Sequence, residues 1–391
     1  MSAHGDALSV TIDGRHLSVD GAGTWVHTLE LVGALHAHGG LRLRVVVAEP
    51  APFALDALRA MDGVELLDYH DAARGESERH DVVHCPHQVY STHDIRLFDL
   101  LGDRIVITHQ DQLLYRNESY FTTIEQWTWQ DLRDSMRIAL DRAERVAFFS
   151  EYAMRETLAD GLGSRRRSVV VPIGVDHRVV GHAAPERPAW IDELGNRPFL
   201  LQLGSDLAHK NRPFTIALLK VLRERHGWDG GLVLAGPHAA AGSSADAERQ
   251  ALDGAQLPVV ATGRVSEGER SWLLANCAAV AYPSADEGFG LLPFEAAAAG
   301  RPSLFAPAGA LREFLPSDAT VLVPWDAERS APAVAALLTD PDRAQRQVES
   351  IRAAAAPLTW EAAAAGMCGV YADAARARSR RPGGRRLPWR R

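Results

Sequence analysis

The sequence predicts an α/β protein of two doubly wound domains that face each other across a cleft. Along most of the 391 residues, short apolar, β-branched runs alternate with helical patterns, which is typical of parallel sheets with right-handed crossovers. A stretch rich in proline and glycine interrupts the alternation once, and the alternation then resumes. The chain is also long enough for two to three domains. These observations predict two parallel sheets, each covered by helices on both faces.

Six runs in the first half have the length and composition of buried parallel strands. Each is short, apolar on both faces and rich in β-branched residues, as strands covered on both sides should be. They lie at 8–12, 43–48, 82–85, 105–109, 146–150 and 168–172. Between the first two, residues 24–40 have a helical pattern that ends in a glycine stop signal. We predict that this half forms one domain, residues 1–182.

The stretch GHAAPERPAWIDELGNRP breaks the pattern, and we place an inter-domain linker within it at 183–198. A second series of strand-like runs follows at 199–204, 231–236, 258–263, 279–284, 302–307 and 320–324. We predict a second domain at 199–356, a helix at 357–375 that packs back toward the first domain, and a basic disordered tail at 376–391. Ligands of doubly wound sheets bind beyond the carboxyl ends of the strands, so two facing domains provide a cleft with two walls.

Composition and charge exclude several classes of protein. No run reaches the roughly 18 apolar residues of a membrane span, the N-terminus lacks a signal-peptide pattern, and the three cysteines show no metal-type spacing. These features favour a reduced, cytoplasmic setting. The net charge is −8, and because the tail holds eight arginines and no acid, the rest of the chain carries −16. An acidic body argues against nucleic-acid binding, and the tail is expected either to be disordered or to make a weak contact with an anionic membrane surface or acidic partner.

The segment EGFGLLPFE, residues 287–295, carries the strongest chemical signal. It joins a predicted strand to a helix with proline in its first turn, so it lies where ligands bind in such sheets. Gly288 and Gly290 allow the backbone to approach a ligand closely, and the free N–H groups of the helix start favour an anion such as phosphate. Glu287 and Glu295 are then predicted to border one pocket, with Glu295 as an acceptor for paired hydroxyls such as a ribose diol.

The stretch 282–302, YPSADEGFGLLPFEAAAAGRP, resembles the signature of the family 4 retaining glycosyltransferases. The likeness covers nearly the whole chain, through segments in matching order and spacing at 12–35, 171–176, 203–211, 233–237 and 261–284. The first of these resembles the start of a mannosyltransferase-like subgroup. The resemblance implies the GT-B fold, with two facing Rossmann-like domains, the acceptor bound mainly by the first and a nucleotide-sugar donor bound by the second.

Carried over position by position, the resemblance assigns roles at the donor site. Glu295 matches the glutamate that holds the nucleotide ribose, and Glu287 matches the glutamate that contacts the donor sugar. Lys210 matches the cation that neutralises the diphosphate, where a fixed charge lowers the barrier to its departure. The loop backbone is expected to line the donor sugar and phosphates through Gly288, Phe289, Gly290 and Leu291.

Two positions of the first domain complete the predicted cleft. His109, at the end of a strand, matches a histidine that faces the donor sugar. Gly23 matches a glycine loop beside the donor pyrophosphate. His84 and His87, which flank Cys85, allow a metal site as an alternative to a core or acceptor-side role, but no fourth ligand is evident and the family needs no metal.

One departure from the family pattern affects the phosphate contacts. Gly204 is matched, but Ser205 stands where many members carry an arginine. Serine cannot supply that charge, so we expect Arg212 or Arg264 to help Lys210 neutralise the diphosphate.

The resemblance implies an enzyme that moves a hexose-type sugar from GDP-mannose or a UDP-sugar to an acceptor hydroxyl, with retention and without a metal or other cofactor. It points to front-face substitution, with the departing phosphate as the group that takes the acceptor's proton. The acceptor is a small molecule, a glycan or a lipid-linked group that the sequence does not distinguish. The alternatives are a sugar phosphorylase or a nucleotide-sugar epimerase on the same fold, and a non-catalytic nucleotide-sugar-binding partner.

Overall fold

The computed structural model describes residues 7–18, 23–122, 127–181 and 183–377. Within them the N-terminal sheet has seven parallel strands in the order β3-β2-β1-β4-β5-β6-β7. The strands are β1 Leu8–Asp13, β2 Leu41–Val47, β3 Glu65–Asp68, β4 His80–Cys85, β5 Gly102–Thr108, β6 Arg145–Phe148 and β7 Ser168–Val170. The order reverses direction at β1 and β4, which creates a crevice at the carboxyl ends of these two strands.

The C-terminal sheet has five parallel strands in the order β10-β9-β8-β11-β12. They are β8 Phe199–Leu203, β9 Gly231–Ala235, β10 Val259–Gly263, β11 Ala279–Tyr282 and β12 Ser303–Phe305. Here the switch in direction lies between β8 and β11, so the loops that follow these two strands face the same crevice.

The structure corrects two predictions about strands. Residues 320–324 are not a strand, since the N–H groups of Val321 and Leu322 both donate to one carbonyl, that of Phe305, at 3.3 and 3.1 Å. The segment thus meets the end of β12 without running beside it. Conversely, the sequence analysis missed β3, which has only four residues and an acid at each end. Such composition is common in edge strands, where charge discourages pairing with other chains.

Helices cover both sheets. They are α1 Gly23–His38, α2 Pro52–Arg59, α3 Tyr69–Arg74, α4 Thr92–Leu101, α5 Leu113–Arg116, α6 Trp129–Arg142, α7 Glu151–Ala159, α8 Arg212–His226, α9 Ala245–Leu252, α10 Glu267–Asn276, α11 Leu292–Ala298, α12 Leu311–Phe314, α13 Ala327–Thr339, α14 Pro341–Ala355 and α15 Trp360–Arg376. Capping boxes begin α4, α6 and α10, each a Ser or Thr with an acid three residues later. No helix in the described ranges is both long and apolar enough to span a bilayer.

The last helix, α15, returns from the C-terminal half to the N-terminal sheet. It packs against α1 and β5, and the Tyr371 hydroxyl makes a hydrogen bond of 2.8 Å with His84 Nδ1 in β4. Trp360 at its start is buried against the segment after β7, where a Cβ on Gly174 would lie 2.3 Å from the Trp360 nitrogen. A continuous buried apolar cluster therefore runs through both sheets. The domain boundaries given above stay a prediction.

Candidate active site

A cleft of about 540 Å³ opens between the carboxyl ends of the two sheets. Its N-terminal wall comes from the start of α1 and from the segments after β4 and β5, and its C-terminal wall from the segments after β8 and β11, with Arg270 of α10. Parallel strands direct their carboxyl ends to one edge of a sheet, so residues far apart in sequence meet here. The cleft brings together Lys210, Glu287, Gly288, Phe289, Gly290, Leu291, Glu295, Gly204 and Gly23 from the predicted site.

The two glycines of the 287–291 loop are required for different structural reasons. A Cβ on Gly288 would lie 2.0 Å from the carbonyl oxygen of Gln110 on the opposite wall, and the Gly288 carbonyl accepts a hydrogen bond from Ser150 Oγ at 2.8 Å. Gly290 has a φ of +96°, and a Cβ there would lie 2.5 Å from Leu311. We predicted that both glycines serve ligand approach. In the structure, Gly288 is required because a Cβ would clash with the opposite wall of the cleft. Gly290 is required because its φ is positive.

Glu287 and Lys210 form an ion pair in the cleft. Lys210 Nζ donates to Glu287 Oε1 at 2.5 Å, and both side chains are largely buried. Burial disfavours the charged form of Glu287, yet Lys210 and His209 hold the pKa of this carboxyl below its ordinary value. Glu287 is therefore ionised at neutral pH, and it holds the Lys210 side chain against the cleft.

Glu295 stands in a second ion pair on the same wall. Arg270 Nη2 donates to Glu295 Oε2 at 2.5 Å, and His177 Nε2 lies 3.4 Å from Oε1. Burial again opposes ionisation, but Arg270 and His177 together lower the pKa of Glu295 to about 2. The carboxylate is thus charged throughout the physiological range, with Arg270 bonded to one oxygen and the His177 imidazole close to the other.

A hydrogen bond from Trp360 of α15 determines which ring nitrogen of His177 carries the proton. Trp360 Nε1 lies 3.1 Å from His177 Nδ1. An indole N–H can only donate, so Nδ1 accepts and the proton of the neutral ring is on Nε2, facing Glu295. The sequence analysis missed both His177 and Arg270 as partners of Glu295. His177 directly follows the matched segment 171–176 and Arg270 lies within the matched segment 261–284, but nothing in the sequence linked either residue to position 295.

His109, predicted to face the donor sugar, is not among the residues that line the cleft. Its backbone still belongs to the sheet, since its N–H donates to the Ala147 carbonyl at 2.9 Å. The ring is buried edge-to-face against Phe148, its Nε2 has no hydrogen-bond partner among the described residues, and burial lowers its pKa to about 4. The side chains that do reach the cleft at this strand end are those of Gln110 and Asp111.

Only some of the residues predicted to contact the phosphates line the cleft. Gly204 lines the cleft with a φ of +116°, but Ser205 is not among the lining residues. Arg212 is buried and donates to the Gly204 carbonyl at 2.6 Å, so it supports the loop from behind. Arg264 is exposed and lies outside the lining residues. Neither arginine is therefore among the residues that line the cleft with Lys210.

The start of α1 contributes to the N-terminal wall. Gly23 lines the cleft, and the adjoining Thr24 Oγ1 donates to Gln110 Oε1 at 3.1 Å. Residues 20–22 of the predicted glycine loop, 20–25, lie outside the described residues. The hydrogen bond ties the first turn of α1 to the strand end that carries Asp111.

A buried cluster behind this wall has the residue types of a metal site. The ligand atoms of Asp13, Cys85 and His87 lie within 4.8 Å of one another. However, Arg15 bonds to both oxygens of Asp13, at 2.8 and 2.7 Å. The guanidinium already neutralises the carboxylate, so these residues fit a buried ion pair better than a cation site.

Residues 187–354 match the family model described as Glycosyl transferases group 1. The chain contains a glycosyl transferases group 1 domain. This domain carries the C-terminal wall of the cleft, with Lys210, Arg270, Glu287 and Glu295. The two-sheet architecture is the GT-B fold, as in the solved structure of Anabaena Alr3699/HepE in complex with UDP and glucose. The TM-score is 0.70 at 15% identity, over 93% of this chain and 99% of that one.

Curated relatives match over shorter spans. A D-inositol 3-phosphate glycosyltransferase of Xylanimonas cellulosilytica is 41% identical over 104 residues, 26% of this chain and 25% of the relative. A GDP-mannose-dependent alpha-(1-6)-phosphatidylinositol dimannoside mannosyltransferase of Mycobacterium tuberculosis is 30% identical over 204 residues, 51% of each protein. The chain thus matches between a quarter and about half of the length of these relatives.

Proposed function

We propose that the chain is a retaining glycosyltransferase that moves a hexose-type sugar from a nucleoside-diphosphate sugar to an acceptor hydroxyl. The observation that carries the proposal is the presence of two ionised carboxylates, each paired with a cation, on one wall of an interdomain cleft. Both lie in the segment that matches the glycosyl transferases group 1 model. A diphosphate requires a cation, and a ribose diol requires a fixed acceptor.

The ion pairs support a division of labour along this wall. In the proposed reaction the diphosphate gains negative charge as it leaves, and the ammonium of Lys210, which Glu287 keeps in place, stabilises that charge without rearranging. Glu295, which Arg270 and His177 keep ionised, accepts hydrogen bonds from the ribose hydroxyls. The acceptor hydroxyl attacks on the face from which the diphosphate departs, which retains the anomeric configuration. In this proposal the protein's own cations neutralise the diphosphate, so no metal is required.

The donor is proposed to be GDP-mannose or a UDP-sugar. The mycobacterial relative is described as GDP-mannose-dependent, and the Anabaena protein was solved in complex with UDP and glucose. The acceptor is proposed only as a small molecule, glycan or lipid-linked group. Residues 378–391 of the arginine-rich tail lie outside the described residues, so its contact with a membrane surface stays a prediction.

Calorimetric titration with UDP, GDP and ADP, without added metal, tests this proposal. We expect tight binding of one nucleotide by the wild-type protein and loss of that binding in Glu295→Ala. Asp253→Ala, which removes an exposed acid at the end of α9, serves as the matched control and should bind normally. Failure of all three nucleotides to bind would contradict the proposed donor site.

A further inference from the structure

Asp111 is a carboxylate of the cleft that the donor-site roles leave unused. It follows β5 and lines the N-terminal wall. Its Cβ lies 3.3 Å from the position that a Cβ on Gly288 would take. The side chain therefore stands directly against the loop that begins with Glu287, on the opposite wall from Lys210.

Hydrogen bonds fix one oxygen of this carboxylate and leave the other for a ligand. Asp111 Oδ1 accepts from the Leu113 N–H at 2.9 Å and from Gln88 Nε2 at 3.2 Å. Gln88 Nε2 also donates to the Asp111 carbonyl oxygen at 2.8 Å. Across the described ranges no hydrogen bond reaches Oδ2. A side chain held in this way has little freedom to turn, which is the geometry that a positioned base needs.

Neighbouring acids raise the proton affinity of Asp111. Burial has the largest effect, and with the negative charges of Glu287 and Asp286 it raises the pKa to about 6, although the Leu113 N–H and the Gln88 amide oppose the shift. Glu287 differs because its own cation holds its pKa low. The two carboxylates that meet at the loop thus have separate roles available to them, as in other sites where paired acids differ in pKa.

Neither Tyr90 nor His209 competes for the proton of Asp111 between pH 5 and 7. Tyr90 also lines the cleft, and burial raises its pKa so that it stays neutral. His209 lies beside Glu287, and burial lowers its pKa to about 4. Lys210 is paired with Glu287. Burial and the charge of Glu287 also raise the pKa of Asp286, but Asp286 is not among the residues that line the cleft, whereas Asp111 lines it and has a pKa of about 6.

We propose that Asp111 is the catalytic base that receives the proton of the attacking hydroxyl. This inference rests on the proposed glycosyl transfer. In the step, the acceptor oxygen forms a bond to C1 of the donor sugar while the bond from C1 to the diphosphate oxygen breaks. The electron pair of that bond leaves with the diphosphate, and the acceptor's proton passes to Asp111 Oδ2. The competing proton acceptor is the departing phosphate itself.

The rate test compares Asp111→Asn with Asp286→Asn, using GDP-mannose or UDP-glucose as the probe and following release of the nucleoside diphosphate. Asp286 adjoins Glu287 but lies outside the residues that line the cleft, so it controls for the loss of one acid. We expect the wild-type kcat to fall below about pH 6, and Asp111→Asn to lose about 100-fold in kcat together with this acidic limb. Asp286→Asn should keep kcat at neutral pH and still show an acidic limb, displaced toward lower pH because the charge of Asp286 contributes to the raised pKa of Asp111. An unchanged acidic limb in Asp111→Asn would mean that the phosphate takes the proton, and would overturn the inference.

A binding measurement separates failure of this inference from failure of the proposed function. Titration with GDP and UDP at pH 6, in two buffers of different ionisation enthalpy, gives the number of protons taken up on binding. We expect the wild-type protein to take up more protons than Asp111→Asn, because a bound diphosphate raises the proton affinity of a nearby carboxylate. Normal nucleotide binding with equal proton uptake in both proteins would overturn the role of Asp111 alone. Absence of nucleotide binding by the wild-type protein would overturn the proposed function and this inference with it.

Discussion

At the scale of single residues, the two glutamates of the 287–295 segment differ in what they hold. Glu287 fixes an ammonium in the cleft, whereas Glu295 is itself fixed by a guanidinium and an imidazole. We therefore expect Glu287→Gln to lower kcat more than nucleotide affinity. Glu295→Gln should instead weaken nucleotide binding by about 1.5–3 kcal/mol, the usual worth of a hydrogen bond to a charged group. Steady-state kinetics and calorimetry measure the two effects, and equal losses of both quantities in each variant would contradict the division.

Arg270 provides a second prediction at this scale, for pH dependence. Glu295 has a lowered pKa of about 2, so in the wild-type protein it stays ionised as the pH falls from 7 to 5. In Arg270→Leu the main opposing charge is gone, burial prevails and the pKa rises. We expect nucleotide affinity at pH 5, relative to pH 7, to be lower in Arg270→Leu than in the wild-type protein. Arg249→Leu, which removes an arginine from the surface of α9, is the control, and a variant that follows the wild-type pH profile would refute the prediction.

At the scale of secondary-structure elements, α15 joins the two halves through a close contact. Its first residue, Trp360, is almost fully buried, and its backbone N–H donates to Asp176 at 2.7 Å. Gly174 allows this approach because any Cβ would lie 2.3 Å from the Trp360 nitrogen. The same tryptophan orients His177, so the end of α15 connects to the Glu295 site.

This packing predicts opposite outcomes for two glycine substitutions. Gly174→Ala should lower the free energy of unfolding by about 1–3 kcal/mol, because the backbone must shift to admit a methyl group. Gly369→Ala, within α15 and with open space at the Cβ position, should be neutral or raise it by up to about 1 kcal/mol. Urea denaturation measures both, and an unchanged midpoint for Gly174→Ala would refute the described contact.

At the scale of the whole molecule, hydrogen bonds across the cleft hold the two sheets in a closed arrangement. The carboxylate of Glu313 in α12 accepts from the N–H groups of Glu151, at 2.9 Å, and Tyr152 at the start of α7. The Tyr120 hydroxyl accepts from the His209 N–H at 3.0 Å. Ser150 donates to the Gly288 carbonyl. These contacts flank the cleft, so opening it to exchange ligands requires breaking them.

Removing one of these contacts should shift the molecule toward an open form. A carboxylate at a helix N-terminus typically contributes about 0.3–1 kcal/mol, so Glu313→Ala should populate more open molecules without unfolding the chain. Small-angle X-ray scattering should then give a larger radius of gyration than for the wild-type protein. Asp318→Ala, which removes an exposed acid nearby, should leave it unchanged. Identical scattering from all three proteins would show that Glu313 does not stabilise the closed form.

The sequence predicted most of the strands, the position of the 287–295 segment and the two carboxylates in it. These features depend on local patterns, namely apolar β-branched runs and glycine-rich turns at strand ends, and a local pattern is visible in one dimension. It also placed Lys210 and Gly204 beside this segment, through the resemblance to a known family. It missed β3 because four residues with acids at both ends give too little apolar pattern.

Which groups meet at the site depends on the tertiary structure. Arg270, His177 and Asp111 come from elements that are far from the 287–295 segment along the chain, and their approach depends on how two sheets and a returning helix pack. The same packing buries the His109 ring in the core and places the Arg212 side chain behind the Gly204 loop. The sequence predicts that a residue lies at a strand end. The direction of its side chain, however, depends on whether its backbone still pairs in the sheet, and this pairing is fixed only when the sheets assemble.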